Sequence, residues 1–138
     1  MPQWIPGTDF YSHIIDNYQT TVIVDANTGK ENGRITAGQI NDALAEGNYE
    51  INIRGTWMLE WLDEDLVSFI EKGSLYTYDR TSGVIEKQYA MAEGNSNVTI
   101  GNNLNAAYTV GNNVFINWGE NGAIEQVTHH KNPNIVSG

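Results

Sequence analysis

Side chains suited to chemistry are few and scattered in this sequence. The histidines are His13, His129 and His130, and none stands in a serine-nucleophile or zinc motif. Adjacent side chains on an extended segment point in opposite directions, so His129 and His130 do not form one metal site by themselves. Catalysis requires a nucleophile beside a base, opposed carboxylates or suitably spaced metal ligands. We therefore predict a non-enzymatic protein with no catalytic residues, no cofactor and no metal.

Acidic side chains are concentrated between residues 60 and 71, where Asp63, Glu64 and Asp65 are consecutive. Adjacent residues on a helix do not face one another, so they make a poor chelate. Asp63, Glu64 and Asp65 instead suit the first turn of a helix, where the helix dipole favours negative charge. With Glu60 and Glu71 they form a candidate acidic patch. That patch would cover a basic site on a protein partner if the chain is a small acidic inhibitor or immunity-type protein.

The overall charge narrows the range of partners. The 138 residues include 17 acidic and 7 basic side chains, which gives a net charge of −10. Such a surface repels nucleic acid and anionic membranes, because phosphate binding requires Lys and Arg. Apolar runs are far shorter than the ~20 residues of a membrane helix. We expect no nucleic acid and no membrane among the partners.

Two stretches predict short helices. Thr36–Glu46 has a capping threonine, a glutamine three residues later and a glycine at its end. Leu62–Lys72 has acidic residues in its first turn and an apolar stripe at helical spacing.

A third stretch, Asn48–Trp61, alternates between apolar and polar residues, which predicts a strand with a bend at Gly55. Its aromatic side chains fall on one face, so we expect Trp57 in the core. An exposed row of rings would instead stack on sugars. In that alternative the chain is a carbohydrate-binding module that uses Trp57, Trp61 or Trp118.

The C-terminal part predicts a β-meander. Thr99-Ile100-Gly101-Asn102-Asn103 returns ten residues later as Thr109-Val110-Gly111-Asn112-Asn113, and a third turn follows at residues 119–122. Asn and Gly tolerate positive φ and suit tight reversals between strands. The predicted strands are Leu104–Val110, Val114–Trp118 and Ala123–Thr128. The fold class is therefore α+β and β-dominated, with an antiparallel sheet, sandwich or barrel, a C-terminal meander and two short helices.

The meander also suggests self-association. Residues 94–119 contain no charged side chain, and uncharged strand edges invite pairing with another chain. Residues 1–7 contain two prolines and predict an extended arm that precedes a single domain of residues 8–138. The arm packs on its own domain or docks on a neighbouring subunit. The candidate interface residues are Trp4, Ile5, Asn102, Asn103, Asn112, Asn113 and Trp118.

The uncharged Asn/Gly-rich meander, aromatic arm and acidic exterior resemble phage virion components such as capsid decoration or tail proteins. This resemblance implies a structural protein that binds itself, with a trimer favoured, and binds another protein as well. Its location would be the virion, and otherwise the cytoplasm. The alternatives remain the acidic inhibitor and the carbohydrate-binding module.

Overall fold

The computed structural model describes residues 2–128 and every side chain among them except that of Asn102. Met1 of the predicted arm and the His129–His130 pair lie outside the described residues. Strands, one α-helix and a short, kinked 3-10 turn (Asn102–Leu104) make up the regular structure of this part of the chain. The strands and the helix are β1 (Gln3–Trp4), β2 (Phe10–Ile15), β3 (Thr20–Asp25), β4 (Glu31–Thr36), α1 (Ala37–Glu46), β5 (Glu60–Trp61), β6 (Leu66–Glu71), β7 (Ser74–Asp79), β8 (Val84–Ala90), β9 (Asn95–Ile100), β10 (Ala106–Val110), β11 (Asn113–Asn117) and β12 (Ile124–Gln126).

The strands form three four-stranded sheets, and within each sheet they pair in chain order. The orders are β1-β2-β3-β4, β5-β6-β7-β8 and β12-β11-β10-β9. The predicted class is confirmed in its coarser form, because the chain is β-dominated and its sheets are antiparallel. Four-stranded sheets of this kind are the units from which β-propellers are built.

Capping residues explain why α1 forms where the sequence predicts a helix. The Thr36 hydroxyl accepts a hydrogen bond from the backbone N–H of Gln39, and the Gln39 side-chain oxygen accepts one from the backbone N–H of Thr36, both at 3.0 Å. This capping box satisfies two N–H groups near the helix start that have no partner within the helix itself. The helix ends before Gly47, so this prediction is confirmed. No helix among residues 2–128 is long and apolar enough to span a membrane.

The predicted helix at Leu62–Lys72 is wrong, because this stretch belongs to an antiparallel hairpin of β5 and β6. The Asp63 carboxylate accepts hydrogen bonds from the backbone N–H groups of Asp65 at 2.8 Å and Leu66 at 3.0 Å. These bonds close a turn instead of capping a helix. β6 is rich in β-branched and aromatic residues, which favour strands, and its central residues are buried. A strand buried on both faces reads as a continuous apolar run and can imitate a helical stripe.

The alternating segment 48–61 is also not a continuous strand, since only β5 at its end is regular. Ile53 and Leu59 are buried, as the alternation predicts, but Trp57 is 50% exposed. The prediction that Trp57 lies in the core is therefore wrong. Gly55 gives the physical reason, because the Trp57 ring lies against it: a Cβ at Gly55 would be 2.2 Å from a ring carbon. The Trp57 ring folds back over Gly55 and therefore does not lie on the face where Ile53 and Leu59 are buried.

The described residues divide into two compact units. Residues 2–71 and 76–87 form the first, and residues 72–75 and 88–128 form the second. The predicted boundary between an arm and a domain of residues 8–138 stays a prediction. Burying one large aliphatic or aromatic side chain contributes about 1.5–3 kcal/mol to folding. The first unit buries the following core: Ile5, Ile23, Ile35, Ala37, Ile40, Leu44, Ile53, Leu59, Trp61, Val67, Phe69, Tyr76, Tyr78 and Ile85.

The second unit contains the predicted meander, and its strands β10, β11 and β12 confirm the prediction. Tyr108 lies opposite Phe115 in the ladder, and their rings stack with centroids 6.1 Å apart. The edge strand β9 carries a bulge, because Asn97 and Val98 together oppose Tyr108. Asn97 has φ 56° there. A bulge interrupts regular pairing and makes an uncharged edge less open to another strand.

Candidate functional site

A surface groove in the second unit combines polar side chains with an aromatic ring. We call it the Trp118 groove; it encloses about 610 Å³. Ligand sites in proteins commonly have volumes of ~300–1,000 Å³. Trp118 is 39% exposed, so part of the residue is open to solvent. The residues that line the groove are Asn103, Leu104, Asn105, Trp118, Gly119 and Glu120.

One wall of the groove is the turn between β9 and β10, and its backbone is strained. Asn103 has φ 58° and Leu104 has φ 62°. Asparagine tolerates this left-handed conformation, but a bulky residue such as leucine rarely adopts it. Two hydrogen bonds hold the turn: the Gly101 N–H donates to the Asn105 carbonyl at 2.8 Å, and the Tyr89 hydroxyl donates to the Leu104 carbonyl. Strain of this kind persists only where the surroundings fix it, and it is concentrated at functional sites.

The other wall is the turn between β11 and β12. The Trp118 N–H donates to the Ala123 carbonyl at 2.9 Å, which closes this turn. Gly119 touches the first wall so closely that an added Cβ would lie 1.8 Å from the Asn103 carbonyl oxygen. The Gly119 N–H donates to the Asn105 side-chain oxygen at 2.7 Å. The two turns are thus fixed to each other by backbone contact and a hydrogen bond.

A buried polar network supports the groove from within the second unit. Asn117 is fully buried, and its side-chain nitrogen donates to the carbonyls of Ala90 and Gly122, each at 3.2 Å. Its side-chain oxygen accepts from the Tyr108 hydroxyl, which in turn accepts from the Ala92 N–H at 3.0 Å. Such satisfied networks specify one arrangement of the chain. Asn117 immediately precedes Trp118, so the network fixes the point from which the ring projects.

Burial also affects the tyrosine that holds the first wall. Tyr89 is buried, and desolvation, with a smaller contribution from Tyr108, raises the pKa of its hydroxyl to about 12. The hydroxyl therefore stays protonated at neutral pH and remains a donor to Leu104.

A second surface feature, in the first unit, is the Tyr18–Trp57 cleft. It encloses about 420 Å³ and is lined by these two rings. The rings meet edge to face, with centroids 6.1 Å apart and an interplanar angle of 82°. Tyr18 ends a run of three residues with positive φ, and its carbonyl accepts a hydrogen bond from the Thr56 N–H at 2.7 Å. The described lining of this cleft is aromatic and offers no carboxylate or amide.

Two of the predicted interface residues, Asn103 and Trp118, meet in the Trp118 groove. Asn102 belongs to the same turn, and nothing is described of its side chain. Asn112 and Asn113 lie at the β10–β11 turn, at the other end of β11 from Trp118. The meander therefore separates this asparagine pair from the groove.

The predicted interface residues of the arm have different environments. β1 pairs with β2, and Trp4 lies opposite Tyr11 with ring centroids 5.8 Å apart. Trp4 is 65% exposed, whereas Ile5 is 1% exposed and belongs to the core of the first unit. Ile5 thus packs on its own chain, as one of the two alternatives for the arm predicts, while the Trp4 ring stays accessible.

The acidic residues 60–71 do not form the face of a helix. The Asp63 carboxylate is used in the β5–β6 turn. Arg80 donates through Nε to the Glu64 carbonyl at 2.6 Å, and the same nitrogen is 3.9 Å from the Asp65 carboxylate. Glu60 lies on β5 and Glu71 at the end of β6. The candidate patch is therefore partly neutralised by Arg80 and partly occupied in holding a turn.

Four residues of the groove are absent from the predicted site: Leu104, Asn105, Gly119 and Glu120. A signal that points to them is the position of two turn motifs on either side of the β10–β11 hairpin. Because Ala106 pairs with Asn117 in that hairpin, residues just before β10 must lie beside residues just after β11. The Asn/Gly repeat therefore contains the information that brings the two walls together.

No family model and no curated protein matches this sequence. Solved structures do resemble it in fold. One is a putative dipeptidyl aminopeptidase IV from Bacteroides ovatus, with a TM-score of 0.75 and 23% identity over 94% of this chain. Another is dipeptidyl peptidase 4 from Porphyromonas gingivalis, with a TM-score of 0.56 and 14% identity over 93% of this chain. This chain covers only 17% and 19% of those two chains. The likeness shows a shared fold over that portion.

Proposed function

We propose that this chain is a non-catalytic β-sheet module that works by packing against further four-stranded sheets, within a larger protein of the dipeptidyl peptidase IV kind. The observation that carries the proposal is the fold likeness to peptidase chains over 94% of this chain and 17% of the other. Any peptidase chemistry would then belong to the parts of such a protein that this chain does not match.

The sheet topology supports a need for additional sheets. β-Propellers close with typically four to eight four-stranded sheets, and the described residues supply three. Exposed apolar side chains are suited to being covered by such a neighbour. Val84 in the first unit is 51% exposed, and Ile124 and Val127 in the second are 49% and 47% exposed.

The partner in this proposal is the remainder of a longer chain. In the alternative proposal, the further sheets come from other copies of this chain. That alternative retains the predicted self-association and the preference for a trimer. The narrower interpretation as a phage virion component stays a prediction. The acidic-inhibitor alternative also stays a prediction, although Asp63 and Asp65 take part in local contacts within the hairpin.

The intact mass of the native polypeptide, measured by mass spectrometry after purification from cells, tests the proposal. We expect a chain several times longer than 138 residues that releases dipeptides from peptide N-termini. Residues 1–138 produced alone should release none. A native polypeptide of 15.3 kDa that assembles into rings would favour the self-associating structural protein. Dipeptide release by residues 1–138 alone would refute a non-catalytic module.

A further inference from the structure

We infer that the Trp118 groove binds a neutral sugar. This inference rests on the groove itself and is independent of the proposed packing function. A sugar ring has an apolar face of C–H groups and a rim of hydroxyls, and each hydroxyl both donates and accepts hydrogen bonds. A site for it therefore requires an exposed ring beside several polar groups with unused bonding capacity.

The groove contains such polar groups. Within residues 2–128, the Asn103 amide and the Glu120 carboxylate have no hydrogen-bond or ion-pair partner, and neither does the indole N–H of Trp118. Asn105 uses its side-chain oxygen for the Gly119 N–H, and its NH₂ group has no partner in the same range. These groups offer both donors and acceptors. They match the mixed character of sugar hydroxyls.

The aromatic ring supplies the apolar surface. Trp118 is 39% exposed and lines the groove, so part of its surface is open to a ligand there. Tryptophan combines a large apolar face with a polar N–H, which suits a ligand that is apolar on one side and polar at its edge.

Charge selects a neutral sugar over an anionic one. The described lining of the groove contains the Glu120 carboxylate and no basic side chain, and the whole chain has a net charge of −10. Uronic acids and phosphorylated sugars would be repelled by this field. The Tyr18–Trp57 cleft is a poorer sugar site, because its described lining offers rings without amides or carboxylates.

The groove is also formed before a ligand arrives. The strained residues Asn103 and Leu104 and the close contact at Gly119 hold both walls in one arrangement. A preorganised site avoids the entropy cost of ordering loops on binding. Strain at a bulky residue such as Leu104 is also more common where a site requires it.

The test uses residues 1–138 on an array of neutral and acidic glycans, followed by calorimetry with the best neutral binder and with glucuronic acid. We expect at least one neutral glycan to bind and glucuronic acid to bind more weakly. Trp118→Ala should weaken the neutral binder by about tenfold or more, since truncated aromatic anchors dominate binding. Trp57→Ala is the matched control, because it truncates another exposed tryptophan outside the groove. It should leave the affinity for the neutral glycan within about twofold of the wild type, well below a tenfold change.

A second variant makes the result independent of whether Trp118→Ala folds. Glu120→Ala removes an exposed side chain with no described hydrogen bond or ion pair. It should weaken the neutral binder by about threefold to tenfold, which corresponds to one lost hydrogen bond. Glu93→Ala, also an exposed carboxylate in the second unit, should have no such effect. The inference is overturned if no neutral glycan binds, or if Glu120→Ala and Trp118→Ala bind as the wild type does.

Discussion

The indole N–H of Trp61 donates a hydrogen bond to the Ser12 hydroxyl at 3.0 Å, and both side chains are buried in the first unit. The bond joins β5 to β2, which are far apart in the sequence. Apolar contacts alone would leave the position of β5 less specified, because they have no preferred direction. This directional bond therefore helps to fix the position of β5, the first strand of its sheet, against β2.

Ser12→Ala should destabilise the protein by about 1–3 kcal/mol, because the buried indole N–H would lose its acceptor while remaining away from water. Urea unfolding followed by tryptophan fluorescence measures the change. Thr81→Ala, at an exposed site on the β7–β8 turn, is the control and should change the stability by less than about 0.5 kcal/mol. Equal midpoints for Ser12→Ala and the wild type would show that the bond contributes nothing.

The two tryptophans of the segment 48–61 should respond differently to truncation. Trp61 is 5% exposed and Trp57 is 50% exposed. Trp61→Ala should cost about 3–5 kcal/mol, as expected for a large buried ring. Trp57→Ala should cost less than about 2 kcal/mol, because half of its surface is already in water. Equal losses of unfolding free energy for the two variants in a denaturant titration would indicate that Trp57 lies in the core, and would contradict the exposed Tyr18–Trp57 cleft.

These two tryptophans also show what the sequence can and cannot predict. Period-two alternation correctly indicates that Leu59 and Ile53 are buried, since burial follows hydrophobicity. It cannot show that the chain reverses near Gly55, because that depends on the distant carbonyl of Tyr18, which accepts from Thr56.

Helix α1 was predictable because its capping box lies within four residues. The β5–β6 hairpin was not, because acidic residues serve a turn and a helix start equally well.

Gly119→Ala should be strongly destabilising. A Cβ there would lie 1.8 Å from the Asn103 carbonyl oxygen, which is a backbone atom and cannot move aside cheaply. We expect a loss of more than about 2 kcal/mol, in the range of overpacked sites. Gly101→Ala is the matched control, since a Cβ at Gly101 meets nothing within 4 Å. Thermal unfolding of both variants checks the difference, and similar midpoints would mean that the two walls of the groove are not in contact.

The pairing of the two walls follows from the β10–β11 register, which the turn motifs imply. Their chemistry was harder to foresee, because Leu104 gives no sign in the sequence that it adopts φ 62°. Its conformation is imposed by the Tyr89 hydroxyl and by Gly119, which are distant in the chain. The sequence therefore predicts where the groove lies better than it predicts which residues line it.

Tyr89 should make the stability of the second unit fall at high pH. Its pKa is raised to about 12, from an ordinary value of 10.0, mainly by burial. Between these two values the folded chain holds a proton that the unfolded chain has lost, so stability is complete below pH ~10 and declines as the pH rises toward 12. Comparison of wild type and Tyr89→Phe at pH 8 and pH 11.5 checks this. The decline should be smaller in the variant, and an equal decline would exclude Tyr89 as its source. Tyr78, whose pKa burial also raises, contributes equally to both proteins.

The Trp4 ring of the arm is the side chain best placed to support self-association. Trp4 is 65% exposed, whereas Ile5 belongs to the core, so deleting residues 1–7 would damage the fold as well as any interface. Trp4→Ser separates the two effects, because it removes only the exposed ring. If the arm docks on a neighbouring copy, sedimentation at micromolar concentration should show an oligomer for the wild type and a smaller species for Trp4→Ser, since exposed aromatic residues are frequent interface anchors. Trp57→Ser, at another exposed tryptophan of the first unit, should keep the wild-type size. A wild-type monomer would remove self-association and leave the rest of a longer chain as the partner for these sheets.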